Sequence, residues 1–391
     1  MDIVNSGCWP EILKFLQPKE LPEIMKVSKI FNEICKADYL WKEACLLIDP
    51  QTQKDYYRVF CQRIKEILRY SLPIYEILKV TQTSEQKHIF RSMVKRSNPK
   101  IGQILGKYFY QEKTKKIFES YEDFIKCYGP LPLEIYWFFM LYNGQDDCSS
   151  GFLGHYNFYD VDVNLKLIPV RKSENILVIA SSGEDEEQLC VFLDLQGKIG
   201  RGPGAVYCNS GVARTVLYLA SSLSEYLQRY SDNVKEKCYP MINENILLYE
   251  YNAYASVYSK DGIKITARAL YVPHLSRERR YLWTYYITIE ADNPEKRWVL
   301  TTRSWIIRSS NGKVQKVNRQ PGVIGLYPKI YAGCEPTHYA SCAYLETTSG
   351  VMSGSFNFEN LDNRDENIDV NVAQFRLELP LNSELIDISS L

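Results

Sequence analysis

Apolar positions recur with a helical period at the start of the chain. Trp9, Ile12, Leu13 and Leu16 fall at i, i+3, i+4 and i+7, one face of a helix. Ser6 can cap that helix by accepting a free backbone N–H, and Pro10 lies in the first turn, where proline is tolerated. Gln17-Pro18 ends it, because the residue before a proline is pushed out of the α region. Leu21, Ile24 and Met25 mark a second helix; Val27, Ile30, Phe31 and Ile34 mark a third, closed by Tyr39-Leu40-Trp41. Three helices of this size cannot bury all these side chains among themselves, so one stripe is left for a partner.

Helical spacing continues through Tyr56, Val59, Phe60, Ile64, Ile67 and Leu68 until Ser71-Leu72-Pro73, where an interruption is expected. Between Lys87 and Lys116 basic residues far outnumber the lone Glu112, which fits a solvated helix face or contact with an acidic target. Ser120 with Asp123 resembles a capping signal, and Gly129 stops that helix. Pro130-Leu131-Pro132 opens another over 133–142, ended by Asn143-Gly144. Strands then follow at 165–170, 176–181 and 188–195, the last two joined by an acidic loop at 183–187. Ser222 and Glu225 form a capping box for a helix that buries Leu223, Tyr226 and Leu227. This order is α+β.

From residue 245 the helical period disappears. Alternating runs at 247–258, 263–272, 281–290, 297–308, 336–345 and 370–379 are separated by Lys260-Asp261-Gly262, Asp292-Asn293-Pro294, Asn311-Gly312 and Ser349-Gly350. Such spacing predicts an antiparallel sandwich. Residues 381–391 read as a short unpacked tail.

The composition narrows the class. The 391 residues are 45% apolar and 24% charged with zero formal charge, so no global field draws the chain to nucleic acid or a membrane surface. The first residues lack a basic-then-apolar signal, and no run of eighteen apolar residues suggests a span. Eleven scattered cysteines without a C-x-x-C pair fit reduced thiols, hence a cytoplasmic or nuclear protein.

Three stretches resemble known families. Trp9-Pro10-Glu11-Ile12-Leu13-Lys14-Phe15-Leu16, Pro18-Lys19-Glu20-Leu21, Val27-Ser28-Lys29 and Leu40-Trp41 look like the F-box, over residues 1–48. That resemblance implies docking on a Skp-family adaptor and a cullin–RING scaffold, with Trp9, Ile12, Leu13, Leu16, Leu21 and Trp41 as adaptor-binding candidates, some of them shared with the motif's own core. Leu131-Pro132-Leu133, Leu141-Tyr142-Asn143-Gly144-Gln145, Gly151-Phe152-Leu153-Gly154, Val191-Phe192-Leu193-Asp194 and 220–227 resemble the SUKH (Smi/Knr-like) superfamily of protein-binding modules, giving a connector plus α+β domain at 49–232. Trp283-Thr284-Tyr285-Tyr286-Ile287-Thr288-Ile289-Glu290, Arg303-Ser304-Trp305-Ile306-Ile307, Pro321-Gly322-Val323-Ile324-Gly325, 347–354 and Phe375-Arg376-Leu377 look like an ApaG domain, an immunoglobulin-like all-β sandwich, at 240–391. Gln320 stands where that family carries a further glycine, so Gly322 and Gly325 are read as serving φ > 0 and close strand approach. The expected fold is therefore multidomain, and its three modules in this order resemble one type of F-box protein.

Chemistry is sparse. Four histidines lie in different segments. Cys334, His338 and Cys342 share a spacing of four, but on a strand such neighbours stand about 13 Å apart, far beyond a ligand shell of about 2.0–2.3 Å. Gly200-Arg201-Gly202-Pro203-Gly204 precedes no helix start and reads as a mobile loop. No G-x-S-x-G elbow, H-E-x-x-H pair or P-loop occurs. Neither a cofactor nor a metal is expected, and the chain reads as a non-catalytic receptor presenting a target protein for ubiquitination. The alternative is a sensor of a small anionic, nucleotide-like ligand through Arg303, Lys313, Arg319, Gly322 and Gly325.

Overall fold

The computed structural model describes residues 25–26, 29, 33, 35–48, 52–81, 126, 133–142, 144–145, 152–153, 155–158, 161–164, 166–173, 175–182, 189–236, 241–242, 245–246, 255–379 and 382–389. The basic run, the 120–129 capping signal and the acidic loop fall outside them almost entirely. The described elements, in chain order, begin with helices α1 (Asp38–Ile48), α2 (Tyr56–Thr81) and α3 (Leu133–Leu141). Strands β1 (His155–Phe158), β2 (Val161–Asn164), β3 (Lys166–Ser173), β4 (Ile176–Ser181), β5 (Cys190–Asp194), β6 (Ala205–Asn209) and β7 (Thr215–Ala220) follow, then helix α4 (Leu223–Lys235). A small ribbon of β8 (Met241–Ile242) and β9 (Asn245–Ile246) leads to β10 (Ser256–Lys260), β11 (Ile263–Tyr271), β12 (Tyr281–Ala291) and β13 (Arg297–Ser309). The last strands are β14 (Val314–Pro321), β15 (Lys329–Tyr331), β16 (Thr337–Leu345), β17 (Gly350–Asn360), β18 (Asn367–Leu377) and β19 (Glu384–Asp387).

The chain divides into two compact units, one of Met1–Ser149, Leu167–Ile179 and Leu223–Lys235, the other of Ser150–Lys166, Ala180–Ser222 and Glu236–Leu391. In the first, helix α2 runs unbroken through Pro73, contrary to the interruption expected there. Proline removes one hydrogen bond and bends a helix. Here Ile67, Tyr70, Ile74 and Ile77 keep one buried face on both sides of it, which outweighs the local cost. Helix α3 is apolar except for Glu134, and Ile135, Tyr136, Trp137, Phe138 and Phe139 are all buried, as a central helix requires. Gly144, at φ 87°, turns the chain away just after the end of α3. Helix α4 buries Leu223, Tyr226, Leu227, Tyr230 and Val234. Its first-turn Ser224 N–H donates to the Glu134 carboxylate at 2.8 Å, a cap supplied from α3 by a residue 90 positions away.

In the second unit, β5, β6 and β7 pair antiparallel in sequence order, and β19 adds to β7 in the same sense. Residues 381–391 are thus not an unpacked tail: strand β19 lies within them. The C-terminal third is a sandwich. One sheet has the order β10-β11-β12-β16; the other is β14-β13-β17-β18, with β15 also on β13. Between them lie Trp283, Trp298, Trp305, Phe356 and Phe358, all 2% exposed or less. The Tyr285 and Tyr339 hydroxyls share a hydrogen bond of 3.0 Å in this core, and burial pushes the Tyr285 phenol far up. Gly211, between β6 and β7, lies against the segment after β11. Its N–H donates to the Pro273 carbonyl at 2.8 Å, and a Cβ there would stand 2.3 Å from Ser276 O and 2.4 Å from His274 O. Only glycine permits that approach.

Candidate functional site

Of the six adaptor-facing candidates, Trp9, Ile12, Leu13, Leu16 and Leu21 lie outside the described residues. Trp41 is described and is turned inward, 3% exposed. Its ring packs on Tyr57 and Phe60 of α2 at 5.3 and 4.8 Å, and its indole N–H donates to Cys35 O. The helix pair α1–α2 uses Trp41 as core, which leaves it little surface for an adaptor.

Of the five anion-binding candidates, Arg303, Arg319, Gly322 and Gly325 lie at the turn after β14, and Lys313 lies apart from them. Arg303, on β13, donates to the carbonyls of Pro321 and Gly322 in the turn after β14. Gly322 has φ 50°, and a Cβ on it would meet Leu326 O at 2.2 Å. Its N–H donates to Thr301 O, while Val323 and Leu326 exchange two backbone hydrogen bonds across the turn. Gly325, at φ 73°, lies at the open tip. Arg319 has φ 37°, and its N–H donates to Ser304 Oγ at 3.1 Å. Lys313 precedes β14, about 25 Å from the turn at roughly 3.3 Å per residue. It pairs with Glu346, and that hydrogen bond holds the Glu346 carboxyl below the usual carboxylate range. The Arg303 guanidinium therefore serves carbonyls of this turn, while the Arg319 side chain is exposed. What it shows solvent is apolar: Ile324, Leu326 and Tyr327 are 67%, 68% and 56% exposed.

The cations at the sandwich's other turns are likewise engaged, Lys296 with Glu366 and Arg297 with Asp362. His338 stacks on Tyr286 at 5.5 Å with its pKa lowered by burial, and Cys334 Sγ accepts from the Tyr331 N–H. Among the described residues no three His, Cys, Asp or Glu side chains are placed to hold a metal ion, and no helix is long and apolar enough to cross a membrane.

A second arrangement went unforeseen. Asp194, 1% exposed, accepts backbone N–H bonds from Gln196, Gly197 and Ile199 at 3.1, 2.9 and 2.6 Å. Gly197, Gly200, Gly202 and Gly204 all take positive φ, so the loop expected to be mobile is a hydrogen-bonded turn. Its Arg201 lies 5.3 Å from the ring centroid of Tyr218 on β7 and pairs with Glu384 of β19.

A family model of the ApaG domain matches residues 273–360, and one of the F-box domain matches residues 6–43. Protein ApaG of Brucella anthropi is 36% identical over 121 residues, which span 30% of this chain and 89% of that protein. The chain belongs to the ApaG family. The ApaG match runs from the segment after β11 to the end of β17 and includes the glycine turn. F-box only protein 3 of Homo sapiens is 25% identical over 406 residues, covering 94% of this chain and 81% of its own length. F-box protein SKIP16 of Arabidopsis thaliana is 26% identical over 323 residues, covering 68% and 73%. The same chain thus carries an F-box match and is similar to F-box only protein 3 along nearly its whole length.

Proposed function

We propose that the chain is the substrate-recognition subunit of an SCF-type (Skp–cullin–F-box) ubiquitin ligase. The observation that carries this reading is the F-box match at residues 6–43 in the same chain as an ApaG match at residues 273–360. The F-box would hold a Skp-family adaptor through Trp9, Ile12, Leu13, Leu16 and Leu21, and through it a cullin–RING scaffold. Residues 49–232, as a SUKH-type module, and 240–391 would hold the target protein. The chain then acts by proximity, keeping a target lysine near a charged ubiquitin-conjugating enzyme, and contributes no reacting side chain. The exposed Ile324, Leu326 and Tyr327 support target contact through the ApaG turn, since large apolar side chains anchor protein interfaces. Capture of a Skp-family adaptor by the purified chain tests the reading. A Leu16→Asp plus Leu21→Asp variant should lose the adaptor while keeping its thermal unfolding profile; equal capture by the variant overturns it.

A further inference from the structure

From the β7 edge we infer that it is a strand-addition site for an extended segment of another protein, and that β19 occupies it in cis as a built-in ligand. This stands whether or not residues 6–43 engage an adaptor.

The register defines the site. Glu384, Leu385, Ile386 and Asp387 lie opposite Tyr218, Leu217, Val216 and Thr215. Val216 and Leu217 are buried, so β7 is an interior strand whose bare edge would leave backbone donors and acceptors unpaired. Extended peptides bind sheets through such edges, with affinity from main-chain hydrogen bonds and selectivity from alternate side chains. Selectivity here comes from Arg201. The Asp194-braced loop aims Arg201 at Glu384, over the Tyr218 ring. At the other end Arg214 contributes to holding the Asp387 carboxyl low, after the hydrogen bonds from Ser389, and its carbonyl accepts from Ile388 N–H at 2.7 Å. The site thus fits an acidic residue followed by two aliphatic residues, all extended.

The occupant is held lightly. Four residues pair, Leu385 and Ile386 are only half-buried, and the Arg201–Glu384 pair has side chains 47% and 54% exposed. What favours it is tethering. A link of a few residues to β18 gives the tail an effective concentration in the millimolar range, which a competing segment must match.

The test uses a fluorescent peptide with the sequence of residues 382–389 and the full chain. In wild type the tail competes, so binding should be at least tenfold weaker than to a Leu385→Pro plus Ile386→Pro chain. Arg201→Glu in that background should cost a further tenfold, and a peptide carrying Glu384→Lys should recover it. No saturable binding at millimolar peptide, or binding indifferent to Arg201→Glu, overturns the inference. So does concentration-dependent dimerisation of the wild-type chain through exchanged tails, which would make a second copy the occupant. Should the double proline chain not fold, Glu384→Lys alone should speed amide exchange at 215–218 about tenfold, reversed by wild-type peptide; unchanged exchange is equally fatal.

Discussion

Stability of the second unit should fall as pH drops from 7 to 5, and His274 should be a main cause. The ring is 5% exposed, in a knot where Ser276 Oγ donates to Val272 O and accepts from Leu282 N–H. Burial, with the Arg277 guanidinium adding to it, lowers the His274 pKa from 6.5 to about 4. A lowered folded pKa means that the unfolded chain takes up the proton first. Stability is therefore complete above about pH 6.5 and declines as pH falls toward 4. At roughly 1.36 kcal/mol per pH unit, the span from 6.5 to 5 costs about 2 kcal/mol. Denaturant unfolding at pH 7, 6 and 5, followed through the buried Trp283, Trp298 and Trp305, reads this directly. His338 is also shifted down and adds to the slope, so the informative quantity is the difference on replacing His274 alone. His274→Gln should remove most of the loss between pH 7 and 5. Parallel wild-type and variant profiles would refute the reasoning, since the buried ring could not then be the group taking up protons on unfolding.

Glu134→Ala should speed amide exchange in α4 about 5- to 30-fold, the equivalent of losing a cap of about 1–2 kcal/mol, with Glu134→Gln intermediate because it keeps an acceptor oxygen. Gly211→Ala should destabilise the second unit by about 1–3 kcal/mol in denaturant melts, because its Cβ would press on two backbone carbonyls that cannot rotate away. Trp41→Ala should cost about 3–5 kcal/mol in the same assay, while Trp41→Phe should keep adaptor capture, as expected of a core position.

Much of the architecture could be read from periodicity, and the failures have physical reasons. Helix α3 and strands β4, β11, β12, β13 and β16 begin and end close to their expected limits, because long apolar runs met strong turn residues. Strand β14 went unnoticed: at the sheet edge it has almost no buried side and reads as polar loop. Strand β17 was masked by its glycines and serines, which read as a turn. Strands β6 and β7 are short and mostly buried, so they lack the alternation that marks a half-exposed strand. Pro73 is a helix breaker by local rules, but the apolar face of α2 on both sides of it decides the outcome. Glu134 could not be found as a cap at all, since its partner lies 90 residues away.

The candidate sites show the same division more sharply. Sequence supplies an inventory of cations and glycines, but pairing decides what each can do. Arg303 and Lys313 looked available to an anion, yet one holds two carbonyls and the other holds Glu346. Arg201 sits in a glycine cluster that reads as a mobile loop, yet Asp194 fixes that cluster and aims the guanidinium at Glu384. The two surfaces then differ in physical kind. The ApaG turn offers mainly apolar side chains, with Arg303 engaged by its carbonyls, so binding there should respond less to salt. The β7 edge adds Arg201 to backbone hydrogen bonding, so peptide capture there should weaken between about 0.1 and 1 M salt, as the screening length falls from about 10 to 3 Å. A target held at the turn and a strand held at the edge are therefore separable by ionic strength alone, before any residue is changed.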